Sequence, residues 1–218
     1  MIKACIFDLD GTLANSLPAI AHFGNLALAE HGYEPIEESG YKMLVGDGMD
    51  ILIHRMLQGY KSDTPKEFEK VRASYDRAYQ ADVLYATQTY EGVPELLKKL
   101  KERKVKLAVC SNKPHSVAVQ VVEKMFGRGY FDICVGQKPN VPIKPDPAGA
   151  VEIAKVFGVN CAECAFIGDT NVDIQTGQRA GMMTVGVLWG FRGEAELCAA
   201  GADCIIEKPL ELLAKIQA

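Results

Sequence analysis

From Tyr90 onward, short apolar runs alternate with amphipathic helical periods, and that rhythm admits few folds. Val93, Leu96, Leu97 and Leu100 recur at i, i+3, i+4 and i+7, with Lys98, Lys99 and Lys101 on the other side, which predicts a helix. A strand follows over 105–110, and Pro114 opens the next helix where a missing N–H costs nothing. The series continues with a strand over 131–135 and a helix from Pro147 with Ala150, Ile153, Ala154 and Phe157 on one face. Strand 164–167, helix 171–180, strand 184–187, a short helix near Glu194, strand 204–206 and a last helix complete it. Apolar strands alternating with amphipathic helices predict an α/β fold, a parallel sheet covered on both faces. The run Ala4-Cys5-Ile6-Phe7 adds a strand at the start.

Residues 14–82 break the rhythm. Between Asp10 and Val105 no strand is expected, only helical periodicity. Ile20, Phe23, Ala27 and Leu28 give one apolar stripe; Met49, Leu52, Ile53, Met56 and Leu57 a second; Phe68, Val71, Tyr75 and Tyr79 a third. The expected division is a core of residues 1–14 and 83–218 and an inserted helical unit of residues 15–82, joined by linkers near 14–17 and 82–90.

Open parallel sheets bind ligands at the carboxyl ends of their strands. Strand one ends in Asp8 and Asp10, which project the same way from an extended backbone. The strand ending at Cys110 delivers Ser111 and Asn112. The strand ending at Ile167 delivers Gly168-Asp169-Thr170, with Asp173 one helical turn later, and the loop before Pro147 carries Lys144. Four aspartates and one lysine leave such a site near −3, which repels an anion until a cation enters. A hard divalent ion with oxygen ligands, Mg²⁺, answers that requirement. Lys144 and the Ser111 hydroxyl then face a phosphoryl group, whose transfer needs little beyond positioning and charge neutralisation.

Each residue also has a plainer reading. Thr170 and Asp173 match a helix capping box, Asp146 before Pro147 reads as an N-cap, and Ser111 and Asn112 could serve a turn. Asp8 and Asp10 resist one, because nothing in their strand caps or pairs them.

Composition excludes other classes. A formal charge of −4 argues against nucleic acid, and no apolar run reaches the roughly 18 residues a bilayer demands. The N-terminus lacks a secretory pattern, so a cytoplasmic protein with seven reduced cysteines is expected. Cys161-Ala162-Glu163-Cys164 lacks the second ligand pair of a zinc site, and His22, His31, His54 and His115 show no ligand spacing.

Asp8-Leu9-Asp10-Gly11-Thr12-Leu13, Ser111-Asn112, Lys144-Pro145 and Gly168-Asp169-Thr170 with Asp173 resemble, in order, the four motifs of the haloacid dehalogenase superfamily of phosphohydrolases. Val45-Gly46-Asp47-Gly48, Tyr90-Glu91-Gly92-Val93, Lys113-Pro114, Asp146-Pro147 and Val187-Leu188-Trp189-Gly190-Phe191 resemble its phosphoglycolate phosphatase-like branch. The resemblance implies a Rossmann-like three-layer core and a mobile helical cap. It implies that Asp8 attacks phosphorus and that Asp10 protonates the leaving alcohol and then activates water. Mg²⁺ is expected on Asp8, the main-chain carbonyl of Asp10 and Asp169, supported by Asp173. Thr12, Ser111, Asn112 and Lys144 are expected around the phosphoryl group. Lys42, Gly46, Asp47, Gly48, His54 and Arg55 are the candidates for reading the leaving group.

The implied activity is a Mg²⁺-dependent phosphatase of a small phosphate monoester, 2-phosphoglycolate above others, as a monomer or homodimer. A sugar-phosphate mutase or a nucleotide or pyrophosphate phosphatase of the same superfamily is the alternative. Asp10 argues against dehalogenation, which has no leaving alkoxide to protonate, and residues 43–57 hold no lysine for phosphonoacetaldehyde hydrolysis. A phospho-aspartyl receiver module also clusters Asp, hydroxyl and Lys, but needs no lid. The chain departs from the family pattern at Asn15 and Gln137, where acidic residues are frequent.

Overall fold

The computed structural model describes residues 1–216. Strand β1 (Ala4–Phe7) leads through a short loop to β2 (Ala14–Asn15) and then to four helices, α1 (Leu17–Glu30), α2 (Glu38–Leu44), α3 (Met49–Gly59) and α4 (Pro65–Ala81). Strand β3 (Gln88–Thr89) returns the chain to α5 (Val93–Glu102), β4 (Lys106–Pro114), α6 (His115–Phe126) and β5 (Ile133–Gln137). The series ends with α7 (Ala148–Phe157), β6 (Cys164–Gly168), α8 (Asn171–Arg179), β7 (Met183–Val187), α9 (Glu194–Ala199), β8 (Cys204–Ile206) and α10 (Leu212–Lys215).

Six strands make one parallel sheet in the order β5-β4-β1-β6-β7-β8. Alternation along each central strand divides the core in two. Cys5, Phe7, Leu107, Val109, Ala165 and Ile167 face the side covered by α5, α6 and α10. Ala4, Ile6, Ala108, Cys110, Cys164 and Phe166 face the opposite side, against α7. The result is the expected three-layer α/β core. No helix among the described residues is long and apolar enough to cross a membrane.

The helical segment carries more structure than its periodicity predicts. Ala14 pairs with Thr89 and Asn15 with Gln88 in an antiparallel ribbon, so the departure at Asn15 lies at the root of the inserted helices. Two residues cannot show a strand period. Helix α2 escapes for a similar reason, since only Tyr41 of its seven residues is buried. Helix α4 is started by Thr64, whose hydroxyl accepts the Glu67 N–H, with Pro65 in the first turn. That start sets the phase that buries Val71, Tyr75 and Tyr79. At α7 the N-cap position falls to Pro147, and the Asp146 carboxylate caps from one residue further out by accepting the Ala148 N–H at 2.9 Å.

Candidate active site

Strand β1 is the switch point of the sheet. The chain builds outward through β4 and β5 on one side and β6, β7 and β8 on the other, so β1 lies between β4 and β6. Phe7 is level with Val109 and Ile167, which brings Asp8, Ser111 and Asp169 to one edge. Beyond Asp8 the backbone folds over the Leu9 carbonyl, which accepts the N–H groups of Leu13 at 3.0 Å and Ala14 at 2.9 Å. Gly11 makes this turn with a φ of +89°, and a Cβ there would collide with the Asp169 carboxylate.

Lys144 ties two of the acids together. Its Nζ lies 2.8 Å from Asp8 Oδ1 and 2.6 Å from Asp173 Oδ1, with all three side chains nearly or fully buried. Asp8 Oδ1 also accepts the Leu9 N–H at 2.7 Å. Asp173 closes the capping box at the start of α8, its Oδ2 accepting the N–H and hydroxyl of Thr170 at 3.0 and 2.8 Å. Asp173 therefore caps α8 with one oxygen and pairs with Lys144 through the other. Asp169 accepts the Thr12 hydroxyl at 2.8 Å and the Phe191 N–H at 2.8 Å. Burial and the neighbouring carboxylates push Asp169 well above the usual carboxylate range. Burial likewise raises Asp8, to about 7, against the opposing pull of Lys144.

Oxygens of Asp8, Asp169 and Asp173 lie within 4.8 Å of one another, a group of hard donors able to hold a metal ion. One lysine cannot balance three buried carboxylates, and Gly11 leaves Asp169 the space a side chain would fill, so the residues fit a divalent cation.

Asp10 has its own partners. Its Oδ1 accepts the Ser16 hydroxyl at 2.6 Å, and Lys113 Nζ approaches its two oxygens at 3.1 and 3.2 Å. The Lys113 side chain is only 2% exposed, and its ammonium lies 4.6 Å from the centre of the Tyr79 ring. Sequence reasoning assigned no role to Lys113, Ser16 or the Phe191 N–H. A signal for Lys113 existed: it stands two residues after Ser111 in an extended run and so projects to the same side.

Of the residues expected around the phosphoryl group, Thr12 turns its hydroxyl to Asp169, and Lys144 contacts Asp8 without lining the cleft. The Asn112 side chain holds the main chain of Lys144, accepting its N–H at 2.9 Å and donating to its carbonyl at 3.0 Å. Ser111 and Asn112 both line the cleft, and Ser111 Oγ accepts the Lys113 N–H at 3.2 Å.

The cleft between sheet edge and helices has walls of Ile20, Val45, Met49, Leu52 and Phe191 and a free volume of about 50 Å³. Of the leaving-group candidates, Gly46 and Gly48 line it. The others do not, because each is held outside. Asp47 and Arg55 pair with each other at 2.7 Å. His54 pairs with Asp63 at 2.7 Å and stacks on Phe68, while Lys42 is exposed. Gly46 is fastened to the core by the Asn112 amide at 3.3 Å, and Gln137 stands beside Gly48. Arg192, from the segment after β7, donates to the carbonyls of Lys42 and Val45 and is itself held by Glu196 at 3.1 Å.

Two buried acids with displaced pKa values, Asp8 and Asp169, beside a small cleft covered by helices define an enzyme site. The chain matches the haloacid dehalogenase-like hydrolase family over residues 2–181 and belongs to it. It is 34% identical to phosphoglycolate phosphatase of Rhodospirillum rubrum over 202 residues, 89% of this chain and 83% of that one. To phosphoglycolate phosphatase of Mannheimia succiniciproducens it is 34% identical over 213 residues, 95% of both chains. The crystal structure of a predicted phosphoglycolate phosphatase from Haemophilus somnus 129pt superposes with a TM-score of 0.91 at 28% identity, covering 100% of this chain and 98% of that one.

Proposed function

We propose that this hydrolase is a Mg²⁺-dependent phosphatase of a small phosphate monoester, 2-phosphoglycolate above others, working through an aspartyl-phosphate on Asp8. The observation that carries the reading is the placement of Asp8 and Asp10 on one cleft with separate supports. Phosphoric monoester hydrolysis needs a nucleophile and a separate acid, and the geometry offers both.

Lys144 and the Leu9 N–H hold Asp8 Oδ1, which leaves Oδ2 to attack phosphorus. The P–O bond to the alcohol breaks, and the leaving oxygen takes the proton that Asp10 carries on entering the cycle as the acid. Asp10, now a carboxylate, takes a proton from a water that attacks phosphorus; the bond from phosphorus to Asp8 Oδ2 breaks, which frees Asp8, releases inorganic phosphate and leaves Asp10 protonated for the next turnover. Ser111 donates its hydroxyl to the phosphoryl oxygens. Asp8, Asp169, the main-chain carbonyl of Asp10 and, in support, Asp173 would hold Mg²⁺, which supplies positive charge beside the phosphoryl oxygens. Residues 15–82 act as a lid on the core of residues 1–14 and 83–218, keeping bulk water from the intermediate.

The wall beneath the lid is apolar, and the side chains of Ile20, Val45, Met49 and Leu52 offer no donors to the hydroxyls of a hexose. The names of the relatives above point to 2-phosphoglycolate. A mutase would need a basic group from the lid at residues 45–49, and Arg55 is tied to Asp47 and the Leu44 carbonyl instead.

The test is phosphate release with Mg²⁺ from 2-phosphoglycolate, glucose 6-phosphate, a nucleoside monophosphate and pyrophosphate, compared by kcat/KM. Phosphoglycolate is expected to lead. Isomerisation of a hexose phosphate without phosphate release, or a preference for the nucleotide or pyrophosphate, overturns the reading.

A further inference from the structure

Two features of the cleft have no part in the steps above. Among the described residues that line it, Lys113 is the one cationic side chain. Tyr75 lines the same cleft, is fully buried, and its hydroxyl has no hydrogen-bond partner. A buried hydroxyl without a partner costs free energy in the empty site, and a ligand that supplies the acceptor recovers it. The remaining wall beneath the lid is apolar and recognises shape only.

We propose that Lys113, with the Tyr75 hydroxyl, reads a carboxylate on the leaving group, which makes the enzyme selective for phosphate esters of short α-hydroxy acids. This rests on the phosphatase reading and names the residues that give it a substrate class. The argument is one of covalent distance. Asp10 protonates the leaving oxygen, and Lys113 is in contact with both oxygens of Asp10. In an α-hydroxy acid ester one carbon separates that oxygen from the carboxyl carbon, so the carboxylate reaches the cation beside Asp10. A carboxylate accepts charge-assisted hydrogen bonds from an ammonium and a phenol together. The Tyr79 ring under the ammonium holds it at this place. Among the described residues no other positive side chain lines the cleft.

The experiment compares 2-phosphoglycolate with ethyl phosphate, in which a methyl group replaces the carboxylate, and with p-nitrophenyl phosphate, using the whole protein and Mg²⁺. The wild type is expected to favour phosphoglycolate over ethyl phosphate on the order of 100-fold in kcat/KM. Lys113→Met brings that ratio to near one, beyond any loss common to both esters. Tyr75→Phe lowers it about 5-fold, through the KM for phosphoglycolate, and decides the matter if the lysine variant does not fold. A parallel fall for both esters in both variants, with the ratio kept, leaves Lys113 as a mere support of Asp10 and overturns the proposal. Hydrolysis of p-nitrophenyl phosphate by a wild type that does not prefer phosphoglycolate overturns it too, with the phosphatase reading intact. Failure to hydrolyse all three esters removes both.

Discussion

Lys144 Nζ stands 2.6 Å from Asp173 Oδ1, and the two side chains are 4% and 0% exposed. Asp173 also starts helix α8, so one ion pair joins the catalytic edge to a helix N-terminus. Removing one partner of a buried pair strands the other charge at a cost of about 3–5 kcal/mol. Lys144→Met is therefore expected to lower the metal-free stability by about that amount at pH 8 in urea unfolding. At pH 5 the loss shrinks, because Asp8, already raised to about 7, takes a proton and leaves less stranded charge. An equal loss at both pH values contradicts this.

Asp8→Asn is expected to lower turnover by at least about 10⁴-fold, the usual scale for losing a nucleophile. It should not lower metal-free stability at pH 8. Burial disfavours the ionised form of Asp8, so a neutral amide removes a cost while Lys144 keeps Asp173. Steady-state rates and thermal melts on one preparation check both halves.

For Asp10→Asn the loss depends on the leaving group. An alkoxide needs a proton as it departs, and p-nitrophenolate does not. The expected decrease is about 10²–10⁴-fold on alkyl phosphates and much less on the aryl ester's first step. A burst of p-nitrophenolate followed by slow turnover would mark the second role of Asp10, activation of water.

The sheet is legible in the sequence because each strand is an apolar run, and the acids are legible because each falls at a strand end. Asp8, Asp10, Ser111 and Asp169 stand out on that ground alone. The partners of these residues are not legible in the same way. Lys113 reads as one more lysine until β4 is seen to extend through it to Pro114, which buries it against Tyr79. The leaving-group wall is hidden for a different reason. His54, Arg55 and Asp47 look chemically suited, yet the phase of α3 sends His54 to Asp63 and Arg55 to Asp47 in the loop before the helix, while glycines and apolar groups face the site. Residue type suggests chemistry, and only helix phase decides direction.

Metal binding should be visible as stability. Asp8 and Asp169 are raised in the folded state, so the metal-free protein binds protons more tightly folded than unfolded. Its stability from these groups is complete below the ordinary carboxylate pKa of about 4 and declines as the pH rises toward 7. Mg²⁺ takes the place of those protons. At 100 times its Kd it adds about 2.7 kcal/mol, a rise in Tm of about 5–10 °C for a chain of this size. At one fixed Mg²⁺ concentration the rise is expected to be larger at pH 8, where protons no longer compete and the Kd is lower, than at pH 5.5, and to vanish with chelator. A shift independent of pH would place the ion away from these carboxylates.

Arg192 joins the Asn112 amide in clamping the main chain of the loop that carries Gly46 and Gly48 to the core. It is only 9% exposed, fixed by Glu196 and directed at the carbonyls of Lys42 and Val45. Neither carbonyl belongs to the chemical machinery, so the bonds hold the lid and leave the reacting groups untouched. Hydrogen bonds from a charged donor contribute about 1.5–3 kcal/mol, and water recovers part of that at the exposed end of α2. Arg192→Ala is therefore expected to lower kcat/KM about 10-fold, mostly through KM. Hydrogen exchange separates a loosened lid from a damaged fold. Amides of α2 and of residues 45–49 should exchange faster, while those of β1 and β6, which pair with each other through Phe7 and Ile167, keep their protection. Faster exchange in β1 would mean that Arg192 supports the core itself.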